Sequence, residues 1–207
     1  MDTLYKMAEL SAHAILYFMG ILSIVSVSIM IERYFSLKRI SASSSGIAKG
    51  LKHLIETQDL EQLEKLSKID QSLEARALVC GLGFAKKHGA SGLDELFDSF
   101  KAIEKPSLER NLNILGTIAS NAPYVGLLGT VLGIMKAFND LAVAPGQGNE
   151  AVMAGIGHAL VSTAVGLAVA IPAVSAYNYF NKRVGSVLGN IDATRDLCLA
   201  YTKSRRS

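Results

Sequence analysis

Residues 119–138 read A-S-N-A-P-Y-V-G-L-L-G-T-V-L-G-I-M-K-A-F, and residues 155–178 read G-I-G-H-A-L-V-S-T-A-V-G-L-A-V-A-I-P-A-V-S-A-Y-N. Each stretch is long and apolar enough to cross a bilayer, for which a helix needs about 20 residues. Each also carries what a purely lipid-facing helix has no use for: a threonine well inside the apolar run, several glycines and a proline. Hydroxyls at membrane depth need a neighbouring helix, a backbone carbonyl, water or an ion as partner. Thr130 and Thr163 therefore face protein or a polar path rather than lipid alone.

The rest of the chain is arranged around this pair. Before it, about 19 residues from His13 to Ile31 carry no charge, and residues 13–32 are expected to form a first membrane helix. A cleaved signal peptide is the rival reading. It wants positive charge ahead of the apolar run, whereas Arg33, Lys38 and Arg39 follow it. Residues 33–110 form a polar insert. Ser41–Gly46 reads as a hinge, and apolar residues recur at helical steps over 47–55, 60–69, 73–87 and 93–115. Pro106 is expected near the start of a helix that runs on into the membrane, where its missing N–H costs little. The second span covers 111–138, a hairpin with Pro145-Gly146 turn signals covers 139–154, and the third span covers 155–180. Residues 1–12 lead in and a basic tail, 181–207, closes the chain.

Of 21 Lys and Arg residues, 13 lie between positions 33 and 112 and six lie after 180, while the 139–154 hairpin has none. The positive-inside bias puts the insert and the tail in the cytoplasm, and the N-terminus and hairpin on the other side. The chain is 50% hydrophobic with a mean hydropathy of +0.30 and a net charge of +3, unlike a soluble globular domain or a disordered chain. Cys80 and Cys198 are far apart, without a ligand cluster, and read as free thiols. Tryptophan is absent, leaving tyrosines such as Tyr17, Tyr34, Tyr124 and Tyr179 for any interfacial belt. No phosphate-binding Gly-rich loop, nucleophile constellation or metal-ligand set is present, and no Asp or Glu lies inside the three expected spans short of Glu32 at the end of the first. An enzyme is not expected, nor a nucleic-acid partner, nor a self-contained pump.

On an ideal helix Thr163 shares a stripe with Ala159, Gly166, Ala170 and Ala173, all small, and Thr130 shares a face with Ala119, Pro123 and Gly126. Such stripes suit either a closely packed partner helix or a narrow water-accessible path. Gly129 and Gly133 form a G-x-x-x-G that lets helix backbones approach. Pro123 and Pro172 are expected to bend or loosen their helices. His158 lies roughly 140° around the helix from Thr163 but shares a face with Ser162. Glu32, Lys136 and Arg110 sit at helix ends, where charges normally reach the headgroups.

The two stretches together resemble the MotA/TolQ/ExbB proton-channel family, nearest its ExbB/TolQ branch. The residues that carry the resemblance are Ala122-Pro123, Gly126 to Val131, Gly133-Ile134, Ala159 through Ala164, Gly166-Leu167, Ala170 to Ala173 and Tyr177-Asn178. It is dense from Leu108 to Lys182; elsewhere it rests on architecture.

The resemblance implies an all-α polytopic protein of the bacterial inner membrane, with three spans and a cytoplasmic helical domain, the second and third helices extending past the membrane as long rods. It implies assembly as a homopentameric ring around a pair of single-span partners of the ExbD/TolR type, each bearing a membrane aspartate. It makes Thr130 and Thr163 linings of the ion path, driven by the proton-motive force. Ser162 and His158 join the candidate ion-path residues, and Pro123, Gly126, Gly129, Gly133, Gly166 and Pro172 the packing and bending positions. A TonB- or TolA-like protein would receive the force. His158 departs from the family's pattern, which usually places a glutamate there, and two readings stay open: a proton relay or gate, and a histidine hydrogen-bonded at the outer mouth. A sodium-driven version of the motor, and a structural scaffold without conduction, are the alternatives.

Overall fold

The computed structural model describes residues 14–38, 40, 72–143 and 148–204. The lead-in 1–12, the Ser41–Gly46 hinge, the expected helices over 47–55 and 60–69, and the Pro145-Gly146 turn lie outside the described residues. The described residues form the helices α1 (Ala14–Lys38), α2 (Leu73–His88), α3 (Leu93–Leu108), α4 (Leu112–Val143) and α5 (Gly148–Ser204). Helices α1, α4 and α5 are each long and apolar enough to cross a membrane. They fall into two compact units, divided between Glu32 and Arg33, Arg110 and Asn111, and Asn178 and Tyr179.

The first unit holds the apolar part of α1, all of α4 and the first half of α5. Helix α4 packs on α5 through small residues. A methyl placed on Gly126 would lie 2.7 Å from the Ser162 carbonyl oxygen and 3.1 Å from the Gly166 Cα; one on Gly166 would lie 2.8 Å from the Ala122 carbonyl oxygen. Further along, Gly129 faces Ser162, Gly133 faces Ala159 and Gly155 faces Ala137, with the missing methyl 2.7–2.8 Å from the facing Cβ in each case. At the other end the Tyr177 ring covers Gly116, its nearest carbon 2.8 Å from where a Cβ would stand. Without side-chain bulk the two backbones meet, and van der Waals packing replaces a hydrophobic driving force that lipid cannot supply. Helix α1 seats Met19, fully buried, against Ile118 and Ala122 of α4 and Val169 and Ala170 of α5. The remaining faces expose Tyr17, Ile24, Leu127, Val131, Leu160 and Ile171. Those faces would be a liability in water and suit a bilayer or a neighbouring helix.

The second unit is built on α2, α3 and the second half of α5. Ser72 caps α2 by accepting from the Ala75 N–H at 3.2 Å. Gly89, with φ of 72°, ends α2, and Gly92, with φ of 83°, precedes α3. The core joins Leu78, Leu82, Leu93 and Phe97 to Ile191 and Cys198 of α5. Gly81 lies under the Phe97 ring, where a Cβ would come within 2.6 Å of a ring carbon. Around this core Lys101 bridges Asp192 at 2.7 Å and Asp98 at 2.9 Å, and both carboxylates hold its ammonium above the usual lysine range. Arg195 reaches Asp94, Asp192 and Asp196, while the Asn190 side-chain amide donates to buried Glu74 at 3.2 Å. Arg33, buried, donates to the Ser107 carbonyl at 3.4 Å.

Two expectations change. Pro106 stands in the last turn of α3 rather than near the start of a helix continuing into the membrane. The helix ends at Leu108, and Asn111 adopts a left-handed backbone with φ of 59° before α4 begins. The second membrane helix thus has no continuous rod on that side. The apolar spacing of Leu108, Leu112 and Leu115 carries straight across the break, because one left-handed Asn interrupts the backbone without disturbing the pattern. Asn111 also donates its amide to Glu32 at 2.8 Å, and its carbonyl accepts from the Leu115 N–H at 3.2 Å. The helix of the third span, α5, is assigned over 57 residues, Gly148–Ser204.

The two thiols differ sharply. Cys198 is fully buried and burial pushes its pKa up to about 12, while Cys80 is exposed. Since the thiolate is the nucleophile, iodoacetamide at neutral pH will label Cys80 and leave Cys198 unmodified until the protein is denatured. Peptide mapping checks this, and early labelling of Cys198 would mean that the core of the second unit opens readily.

Candidate functional site

The site begins with two hydroxyls on two helices. Thr130, buried on α4, and Thr163, half-buried on α5, meet side chain to side chain, their Oγ1 atoms hydrogen-bonded to each other. Their meeting follows from the glycine packing on either side. Gly126, one turn before Thr130, and Gly166, one turn after Thr163, bring the backbones together. The hydroxyls then have nowhere to go but the seam.

Thr130 Oγ1 is also 3.3 Å from the Gly126 carbonyl on its own helix and 3.2 Å from the Ala159 carbonyl on α5. Each hydroxyl has one proton to donate and two lone pairs to accept with. The pair therefore has more acceptors than protons. Thr163 can donate to Thr130 while Thr130 donates to a carbonyl, or Thr130 can turn and donate to Thr163. Two hydroxyls whose donor order reverses by rotation form a short hydrogen-bond chain, the arrangement along which a proton is handed on. Neither bears charge, so the cluster holds no titrating group of its own.

A cavity of about 260 Å3 lies beside this seam toward the hairpin. Leu16 of α1, Lys136 and Asp140 of α4, and His158, Ala159 and Ser162 of α5 are among its lining residues. The structure thus brings His158 and Ser162 to one surface and sets neither threonine on it. Ser162 is buried there against Gly129, while His158 and Asp140 are exposed. Pro123 and Pro172 lie within α4 and α5, and the helices run through both.

Asp140 is the residue that sequence reasoning missed. The turn signals that follow it place it in the 139–154 hairpin by sequence, yet α4 continues to Val143. Its i,i+4 spacing from Lys136 was the signal that places both on one helix face. Ser26 was also missed: it is buried on α1 at membrane depth, where a hydroxyl has to be turned toward protein.

Among the described residues no group of three or more His, Cys, Asp or Glu side chains could hold a metal ion.

The family model described as the MotA/TolQ/ExbB proton channel family matches residues 69–193. Over 71 residues the chain is 59% identical to the biopolymer transport protein ExbB of Helicobacter pylori, covering 34% of this chain and 49% of that protein. It is 48% identical over 86 residues to the Tol-Pal system protein TolQ of Pseudomonas aeruginosa, covering 42% of this chain and 37% of that protein. It is 42% identical over 104 residues to ExbB of Aquifex aeolicus, covering 50% of this chain and 70% of that protein. The chain thus spans about half the length, or less, of the first two relatives. With the matched region running from before α2 through the hydroxyl seam and on into the second half of α5, this chain belongs to the MotA/TolQ/ExbB proton channel family.

Proposed function

We propose that this chain is the stator subunit of an ExbB/TolQ-like motor in the bacterial inner membrane. With a single-span partner bearing a membrane aspartate, it converts the proton-motive force into work across the periplasm. The observation that carries this reading is the Thr130–Thr163 pair, two hydroxyls from different helices hydrogen-bonded inside the spans. No carboxylate lies within the apolar part of those spans, which end in the polar residues Asp140 and Glu32. A hydrogen-bond chain without a titrating group needs one from outside, and the partner's aspartate is the group that would supply it. Neutralising that carboxylate in the membrane changes what its helix can afford to touch, because an unpaired charge there is costly. Ion passage thereby becomes movement of the partner helix against the ring.

In this reading Arg33, Lys38 and the second unit lie in the cytoplasm, the hairpin lies in the periplasm, and the exposed apolar faces of α4 and α5 meet neighbouring copies or lipid. The ring is a homopentamer, and the force reaches a TonB- or TolA-like protein. TonB-type transport and Tol-type envelope maintenance are the work it would serve.

The test is native mass spectrometry of the complex extracted after co-expression with a single-span protein of the ExbD/TolR type from the same organism, followed by flux measurements in vesicles. A pentamer of this chain around a pair of partners, passing protons only when the partner's Asp is intact, is the expected result. An assembly that excludes the partner in mild detergent and low salt would overturn the two-component motor and leave the scaffold reading.

A sodium-driven version has one observation in its favour. Two hydroxyls and the carbonyls of Gly126 and Ala159 form a set of neutral oxygens at one place. Replacing the proton gradient by a sodium gradient in the same vesicles separates the two.

A further inference from the structure

The cavity beside the seam has a lining that lipid-facing packing would not produce. Lys136 and Asp140 come to it from α4, one turn apart, and His158 and Ser162 come from α5, also one turn apart. Ionisable groups within a membrane bundle face one another or a water-filled space. The cavity is apolar over most of its wall, with these four polar side chains set into it, and at about 260 Å3 it is far larger than the roughly 30 Å3 that one water occupies. Asp140 and His158 stand exposed on the hairpin side, whereas Ser162, deeper, is buried. The inner end is closed by Ser162 against Gly129, where a Cβ on the glycine would come within 2.8 Å of the serine Cβ. Gly129 and Ser162 are the chain neighbours of Thr130 and Thr163, so the cavity stops one residue short of the hydroxyl pair.

We propose that this cavity is a water-filled inlet within a single subunit, carrying water from the hairpin side to the Gly129–Ser162 floor beside the threonines. Lys136, His158 and Asp140 set the charge of what enters. The inlet's purpose rests on the ion-path reading above, but its existence does not. The work of Lys136 and Asp140 is then selection at the mouth, beyond the anchoring expected of charges at helix ends. Ser162 is the last polar group a solvated ion meets before the seam.

The test is thiol accessibility in native membranes carrying the full chain and its partner. In a Cys80→Ser background, Ala154→Cys and Ser162→Cys would each be treated with a small cationic methanethiosulfonate and, separately, an anionic one, and read by peptide mapping. Leu160→Cys and Leu127→Cys, on the exposed apolar faces, serve as the comparison. Both cavity cysteines are expected to react about tenfold faster or more than both comparison cysteines, because the reacting thiolate forms only where water reaches. Asp140→Asn is expected to move the cationic-to-anionic rate ratio at Ser162→Cys toward the anionic reagent, and Lys136→Gln to move it the other way. If neither cavity cysteine reacts faster than the comparison pair, the space is dry or filled by lipid and the inlet is overturned. Reaction whose charge preference ignores both substitutions would overturn the selecting role. No ion gradient enters the measurement, so failure here is distinct from failure of the motor reading.

Discussion

In the motor proposed above, replacing Thr130 and Thr163 together with valine is expected to abolish ion-driven work, by about a hundredfold or more, while the protein still folds and any assembly it makes persists. Valine keeps the branched shape and removes only the hydroxyl. Hydrogen bonds between membrane helices contribute about 0.6–2 kcal/mol each, so losing the pair weakens the seam without opening it. The glycine contacts on either side remain. The Gly126 and Ala159 carbonyls lose Thr130 as a partner but lie within helices, where the backbone ladder serves them. Positioned groups that hand on a proton commonly contribute two to four orders of magnitude. Serine at both positions is the control, restoring the hydroxyl on a smaller side chain. Vesicle proton flux and partner co-purification, measured on the same preparations, check the prediction. Retained flux in the valine variant would remove the seam from the ion path and assign the threonines to packing.

The second large effect is steric. Gly126→Val is expected to prevent stable packing of α4 on α5, and Gly166→Val to do the same from the other side. The atoms that block a side chain at Gly126 are the Ser162 carbonyl oxygen at 2.7 Å and the Gly166 and Thr163 Cα atoms at 3.1 Å. All belong to the facing backbone, which cannot rotate away as a side-chain tip can. Overpacking a tight interface costs about 1–3 kcal/mol even where side chains can adjust, and here the whole seam would have to separate. Loss of the folded, monodisperse protein, with chain degraded or aggregated, is the result to look for by size-exclusion chromatography. Gly157, where an added Cβ meets nothing within 4 Å, is the comparison, and Gly157→Ala should leave the assembly intact. Equal tolerance at all three positions would show that α4 and α5 do not pack through this seam.

Length and polarity alone were enough to read the membrane helices. An apolar run near 20 residues has few alternatives, and α1, α4 and α5 carry the three runs. The depth of Thr130 and Thr163 was legible for the same reason. Their pairing was not, because helical periodicity gives a residue's angle on its own helix but not the register of a neighbour. Gly129 and Gly133 announced a close approach through their spacing; that Ser162 and Ala159 fill it depends on how α5 slides along α4. Asp140 was hidden by the turn residues after it, and the Asn111 break by an apolar pattern that continues across it.

The antiparallel seam has an evolutionary consequence. Gly133 of α4 faces Ala159 of α5, and a few residues on the roles exchange, with Ala137 of α4 facing Gly155 of α5. What selection must conserve at each level is therefore a combined volume, one glycine and one alanine, rather than the identity of either residue. Drift can move the bulk from one helix to the other, provided the two changes arrive together. Among related sequences these positions should vary as coupled pairs, looking permissive one at a time and strict when read as partners.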